Sequence, residues 1–328
     1  MEISNKKING LISIIIVNWN GKRWLKECLK TLSNQTFKNI EIILVDNASL
    51  DDSLRFVENN FLKVRIIKNN KNLGFSNGVN SGIKYSGGEY IILINSDTWV
   101  KKGFVRQLYE FYINNNYDVI APTEKKYGKD INFNCNTTID LLGNPAYYNP
   151  RYKQGNIFYL SGVCLFFRKD VYLETKGLDN DFFMYFEDVD WFWRLSLLGK
   201  RYAYAENIFV HHEGAGSTGK GIKYNMFLFR NKNALQTLLK NYSLITLILV
   251  LPLYFLQNLF EILFFILILK FDIAYSYIEG WLFNIKNLKK ILKKRAWIQK
   301  RRVISDWEII KKMYWGSAKF KMLINYQK

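Results

Sequence analysis

The stretch Ile91-Ile92-Leu93-Ile94-Asn95-Ser96-Asp97 decides the fold: four consecutive apolar residues, the pattern of a strand covered on both faces, run straight into a polar turn ending on a carboxylate. Open α/β sheets bind ligands outside the carboxyl ends of their strands, so Asp97 stands where a site belongs. The same rhythm precedes it. Leu11 to Asn18 reads as a buried strand, and Gly21 to Ser33 follows with helical spacing of Trp24, Leu25, Cys28, Leu29 and Leu32. Ile40 to Val45 is a second strand ending at Asp46-Asn47-Ala48-Ser49; Asp52 to Asn59 reads as helix and Val64 to Lys68 as a third strand. A glycine-punctuated segment from Asn72 through Gly74, Gly78 and Gly82 leads to a short helix, then to the strand Tyr90 to Ile94. This β-α-β-α-β order predicts an α/β fold, a mostly parallel sheet with helices on both faces.

Further on, residues 128–156 are polar and aromatic with little periodicity and read as a mobile insertion beside the site. Phe158 to Arg168 resumes a strand, Asp188 to Leu198 a helix closed by Gly199, and Arg201 to Ala205 a short strand. Two segments here carry chemistry. Phe182-Phe183-Met184-Tyr185-Phe186-Glu187-Asp188-Val189-Asp190-Trp191 sets three acids among aromatic residues at a helix start, and acids in apolar surroundings are paired, hydrogen-bonded or chemically used. Val210-His211-His212-Glu213-Gly214 carries both histidines of the chain next to a glycine-rich turn. One site is expected to draw on these two segments and Asp97.

With 328 residues, 49% of them hydrophobic, the chain can build one large or two ordinary domains. Cys28, Cys135 and Cys164 are odd in number and lack metal-ligand spacing, so they read as reduced and cytosolic. The first residues lack the apolar core and cleavage site of a signal peptide, and the expectation is a domain kept inside the cell.

The net charge of +19 is largely a tail property, because positions 270–328 hold 15 Lys/Arg against 4 Asp/Glu. Before them, Leu244 to Leu269 gives 26 mostly apolar residues, about 39 Å as a helix and longer than the roughly 30 Å of bilayer hydrocarbon. Pro252 interrupts the run, and Thr246, Gln257, Asn258 and Glu261 fall on one helical stripe, as in a kinked or interfacial helix. A span and an in-plane insertion both fit. The aromatic stretch Tyr275 to Phe283 and the cluster Lys286, Lys289, Lys290, Lys293, Lys294 and Arg295 suit a headgroup interface. A nucleic-acid-binding tail is the rival, but no nucleic-acid motif accompanies it.

From Ser13 to Arg230 the chain resembles family 2 glycosyltransferases of the GT-A (Rossmann-like) fold, in particular their rhamnosyltransferase-like branch. The resemblance rests on ordered motifs: Ile16-Val17-Asn18-Trp19-Asn20-Gly21, Val45-Asp46-Asn47-Ala48-Ser49, Asn72-Leu73-Gly74-Phe75 with Asn80, Leu93-Ile94-Asn95-Ser96-Asp97-Thr98, and Glu187-Asp188-Val189-Asp190 with Arg194. It implies a catalytic domain over residues 1–230 and a helical, membrane-associated basic region over 231–328. It also implies a dTDP- or UDP-sugar donor bound by Asn18, Asp46, Asn47, Ser49, Asn72, Gly74, Phe75, Asn80, Asn95 and Ser96. Mg²⁺ or Mn²⁺ is then held by Asp97, the one carboxylate of an Asp-x-Asp motif whose first acid is Asn95, and by His212, five residues before Ser217.

The same resemblance makes Asp188 the base, with Glu187 as fallback; the helix start favours its anion while Phe182, Phe183, Tyr185 and Trp191 desolvate it. Plainer readings stand beside these. Asp97 can cap the turn into Thr98-Trp99, Asp46 and Asn72 can be turn residues, Asp190 can simply pair with Arg194 four residues on, and either histidine can be structural. The implied reaction is inverting, metal-dependent sugar transfer to a glycan acceptor, polyprenyl-linked, at the cytoplasmic face of the membrane, with rhamnose as the sugar that the branch suggests. The rivals are a catalytically silent binding module or membrane scaffold, and a processive polysaccharide synthase, for which Gln-x-x-Arg-Trp is missing.

Overall fold

The computed structural model describes residues 10–126, 132–133, 137–147, 157–214 and 223–319. The chain runs β1 (Ile12–Asn18), α1 (Lys22–Ser33), β2 (Ile40–Asp46), α2 (Ser53–Asn60), β3 (Val64–Lys68), α3 (Gly74–Tyr85), β4 (Tyr90–Ile94), β5 (Thr98–Val100), α4 (Phe104–Asn114) and β6 (Val119–Lys126). It continues through β7 (Asn132–Phe133), β8 (Thr137–Ile139), β9 (Pro145–Tyr147), β10 (Cys164–Arg168), α5 (Lys169–Glu174), α6 (Glu187–Leu197) and β11 (Tyr202–His212). Five helices close it: α7 (Tyr224–Asn241), α8 (Leu244–Leu267), α9 (Phe271–Lys286), α10 (Leu288–Arg301) and α11 (Asp306–Ile310). Two compact units form. The first takes residues 1–134, 161–180 and 201–219; the second takes 135–160, 181–200 and 220–328, so the acid-bearing α6 belongs with the C-terminal helices.

In the first unit a mixed sheet runs β3-β2-β1-β4-β10-β6-β11-β5, with β7 beside β6. The neighbours β3, β2, β1 and β4 are parallel, as the apolar runs predicted, and β10 enters antiparallel between β4 and β6. Successive side chains of β1 serve opposite faces. Ile12, Ile14 and Ile16 join Leu25, Cys28, Leu29 and Leu32 of α1 and Phe104, Val105 and Leu108 of α4 in one core. On the other face lies α3, close enough that a Cβ on Gly78 would come to 2.7 Å from Val17 and one on Gly82 to 2.5 Å from Ile15. The glycines punctuating that sequence are therefore inside the helix, where they let it lie on the sheet; they do not precede it.

Two other expectations change. The strand expected over Phe158 to Arg168 forms only at Cys164–Arg168. The strand expected over Arg201 to Ala205 instead reaches His212, because an irregularity between Ala205 and Phe209 absorbs the exposed Glu206 and Asn207 and lets pairing with β6 resume. Of the three cysteines, Cys28 and Cys164 are buried free thiols; Cys135 and Ser217 lie outside the described residues.

In the second unit, β8 and β9 pair as a hairpin. The described part of the expected mobile insertion is thus ordered, with Thr138, Ile139 and Asp140 buried and Tyr314 donating its backbone N–H to the carbonyl of Ile139. Helix α8 has two faces. Leu247, Val250, Tyr254, Asn258 and Ile262 face inward, while Ile245, Leu249, Leu253, Leu256, Phe260 and Leu263 are exposed on the outer face. The stripe with Gln257, Asn258 and Glu261 turns inward, and Tyr277 of α9 donates to Glu261. Three members of the basic cluster serve the fold: Lys290 and Lys294 pair with Asp181, and Arg295 Nη1 donates to the carbonyls of Leu239 at 2.7 Å and Tyr242 at 2.6 Å.

Candidate active site

Strand β4 delivers the polar turn Asn95-Ser96-Asp97, half-buried, and β5 leaves it at Thr98. The turn is closed by the Thr98 hydroxyl donating to the Asn95 carbonyl at 2.6 Å. Asp97 has a further role, because β5 pairs antiparallel with β11 in a register that sets His212 opposite Thr98 and His211 opposite Trp99. His212 Nε2 lies 3.3 Å from Asp97 Oδ1, and its Nδ1 lies 2.7 Å from Glu124 Oε1. The histidines differ sharply. The His211 ring lies flat on the Trp99 indole, centroids 3.7 Å apart and planes at 4°, as a packing element.

Glu124, on β6, carries no signal in the sequence. It sits in a strand end that reads as surface charge, and only the parallel β6–β11 pairing, with Val210 beside Glu124, brings it diagonally to His212. Burial alone would lower the His212 pKa, but the hydrogen bonds and charges of Asp97 and Glu124 outweigh it and push the imidazole up to about 10, so a cation binding at Nε2 would have to displace a proton from that nitrogen.

A divalent cation fits this pair. Two ligands at about 2.1 Å and at right angles on an octahedral ion lie about 3.0 Å apart, close to the 3.3 Å between His212 Nε2 and Asp97 Oδ1. A carboxylate behind the distal ring nitrogen is the usual support of a ligating histidine. Among the described residues no group of three or more His, Cys, Asp or Glu is placed to hold a metal ion, so this pair offers two protein ligands at most.

The residues expected to bind the donor are hydrogen-bonded to one another and to their neighbours. Asn18 Nδ2 donates to Asp46 Oδ1 at 3.0 Å, Ser49 Oγ at 3.0 Å and Ser53 Oγ at 3.1 Å. Asp46, 3% exposed, also accepts the Ser49 backbone N–H at 3.0 Å and its hydroxyl at 2.6 Å, the geometry of a turn residue. Asn47 Nδ2 donates to the Gly74 carbonyl at 2.9 Å, and Asn72 Oδ1 accepts the Gly74 N–H at 2.9 Å. Gly74 has φ +79°, which only glycine adopts cheaply. Half-buried Phe75 follows it. Asn80 is a clasp, accepting the Tyr172 hydroxyl at 2.6 Å and donating to the Leu178 carbonyl at 2.9 Å.

In the second unit Tyr185 and Phe186 turn the chain with φ of 67° and 68°, and α6 begins at Glu187. Asp188 Oδ1 accepts the N–H of Val189 at 2.8 Å in the first turn, where the helix favours an anion. Its neighbour Glu187 is strongly desolvated. Among the described residues Glu187 Oε2 is buried without a hydrogen-bond partner, and burial, then the adjacent Asp188 charge, push the Glu187 carboxyl up to about 8. Asp190 is structural, as its spacing allowed: it pairs with Arg194 Nη2 at 2.9 Å and with Lys240 at 2.9 Å, all three buried.

A parallel β3-β2-β1-β4 core with its acid at a strand end and an antiparallel continuation is the GT-A architecture of nucleotide-sugar transferases. Residues 13–175 match the family model for glycosyl transferase family 2, and the chain belongs to that family. An uncharacterized glycosyltransferase of Haemophilus influenzae is 27% identical over 202 residues, 58% of this chain and 61% of that one, so the match spans less than two thirds of the relative. The N-acetylglucosaminyl-diphospho-decaprenol L-rhamnosyltransferase of Mycobacterium tuberculosis is 24% identical over 244 residues, 64% of this chain and 78% of that one. Among solved structures, GalNAc-T7 with UDP, GalNAc and Mn²⁺ superposes with a TM-score of 0.57 at 15% identity over 69% of this chain and 47% of that one, a likeness of fold.

Proposed function

We propose that this enzyme transfers a sugar, with inversion, from a nucleoside-diphosphate donor to a hydroxyl of a lipid-linked glycan at a membrane surface. The observation that carries the reading is the Asp97–His212 pair braced by Glu124. Asp97 and His212 would hold Mg²⁺ or Mn²⁺, which when bound neutralises the diphosphate of the donor and of the leaving group. Asn18, Asp46, Asn47, Ser49, Asn72, Gly74, Phe75, Asn80, Asn95 and Ser96 shape the donor side.

Asp188 takes the proton of the acceptor hydroxyl as its oxygen bonds to C1 of the sugar, the C1–O bond to the diphosphate breaks, and the nucleoside diphosphate leaves with the bonding pair. No covalent sugar on the enzyme is expected. Glu187, protonated at neutral pH by its burial, is a poorer base there than Asp188. The UDP and Mn²⁺ of the GalNAc-T7 complex support a UDP-type donor and a divalent ion; the mycobacterial relative's name supports rhamnose as the sugar and a decaprenol-linked acceptor. An assay of the purified chain with UDP- and dTDP-sugars, with and without Mn²⁺, against lipid-linked GlcNAc decides between them. No release of UDP or dTDP with any donor would refute the transfer reading.

The membrane contact is proposed for the outer face of α8. That helix is long and apolar enough to cross a bilayer, yet its inner stripe is packed from Leu247 to Ile262 against the unit. Tyr254 donates to the carbonyl of Asn231 on α7 at 3.3 Å, and Asn258 is buried. A span would carry those polar neighbours into hydrocarbon, at a cost that in-plane insertion avoids. Lys286, Lys289 and Lys293 are exposed for anionic headgroups, and Trp307 and Trp315 are exposed aromatics of the kind found at interfaces.

A further inference from the structure

We infer that Asn233 of α7 is the positioning residue of the acid pair, holding the left-handed turn from which α6 presents Glu187 and Asp188. The inference rests on Asp188 as base. Tyr185 and Phe186 both have positive φ, a conformation costly for residues with a Cβ and kept only where surroundings enforce it. Asn233 enforces it. Its side chain is fully buried, and Nδ2 donates to the carbonyls of Met184 at 3.0 Å and Tyr185 at 2.8 Å, the two peptide oxygens immediately before Phe186.

The rest of α7 repeats the grip. Lys232 donates to the Asp181 carbonyl at 3.1 Å and Gln236 to its carboxylate at 3.4 Å; Lys240 and Asn241 hold Asp190 at 2.9 and 3.2 Å. Positions 233, 236 and 240 share one helix face, with 232 and 241 flanking it on either side, and a buried face normally carries apolar residues. Burying polar groups costs free energy that apolar side chains would not. What this stripe gains is a fixed geometry: it clamps both ends and the middle of the segment from Asp181 to Asp190. A displacement of about 1 Å in a reacting group can cost on the order of 10²-fold in rate.

The test compares Asn233→Ala, Asn233→Asp and Asp188→Asn in the full-length protein, measuring kcat, donor KM, UDP binding and melting temperature. Both Asn233 variants are expected to lose kcat on the order of 10²-fold per UDP-binding molecule, with donor KM within about twofold. Tyr185→Gly in the Asn233→Ala background is expected to recover folding and part of kcat, since glycine takes positive φ without penalty. Unchanged kcat in both Asn233 variants beside an inactive Asp188→Asn overturns the inference alone, as does the absence of any recovery by Tyr185→Gly. Normal turnover by Asp188→Asn overturns the base assignment, and the inference with it.

Discussion

At the scale of single residues, the first turn of α6 sets two adjacent carboxyl groups in different hydrogen-bonding surroundings. Glu187 has a sealed oxygen and a raised pKa, whereas Asp188 accepts a backbone N–H in the first turn of α6. Asp188→Asn is expected to lower transfer by roughly 10²-fold or more with UDP affinity unchanged, read by initial rates and calorimetry. Normal rates would move the role elsewhere. Glu187→Gln, which mimics the protonated form, should leave turnover at pH 7 nearly intact. The folded state holds the Glu187 proton up to about pH 8 while the unfolded chain releases it near its ordinary value of 4.5, so its favourable contribution is complete below the latter and is lost as pH rises through the former. Denaturant titrations across that window should show a decline in wild type that Glu187→Gln lacks. Glu124→Gln should weaken Mn²⁺ binding about 10- to 100-fold, read by the bound-Mn²⁺ signal in electron paramagnetic resonance. Asp97, at a strand end, and His212, through the family resemblance, were singled out in the sequence, and the structure sets them 3.3 Å apart. Glu124 was not, because strand pairing, which brings residues 88 positions apart together, leaves no local trace.

At the scale of elements, strands and helices whose apolar period is clean were legible almost to the residue, as with β3 and β4. The misses have common causes. In β11 an irregularity hides the second half of the strand behind Glu206 and Asn207, and the polar β8–β9 segment owes its order to the C-terminal segment around Tyr314. In α3, glycines that look like breakers serve close packing on β1. Gly82→Ala would put a methyl 2.5 Å from Ile15 Cγ2, and overpacking of this kind costs about 1–3 kcal/mol. Equilibrium unfolding in urea measures it; an unchanged midpoint would mean that α3 is free to shift. The polar face of α7 had no readable signal, since Asn233, Gln236 and Lys240 look like solvent-facing residues until the segment they clamp is known.

At the scale of the whole molecule, the uneven charge noted in the sequence divides into two uses. Lys290, Lys294 and Arg295 are spent on Asp181 and on the end of α7, while Lys286, Lys289 and Lys293 stay exposed. The proposed in-plane placement of α8 predicts that Leu249→Glu with Leu253→Glu releases the protein from anionic vesicles in flotation, and that neutralising the three exposed lysines weakens binding and blunts its dependence on salt. A spanning helix would instead stay detergent-dependent when the lysines are neutralised.

That Asp97 and His212 bind the donor's diphosphate through a divalent ion is the central claim, and titration calorimetry of UDP with and without Mn²⁺ tests it most directly. Mn²⁺-dependent binding is expected in wild type and Asp188→Asn, and its loss in Asp97→Ala and His212→Ala. Equal UDP affinity in all four proteins, indifferent to Mn²⁺, would contradict it.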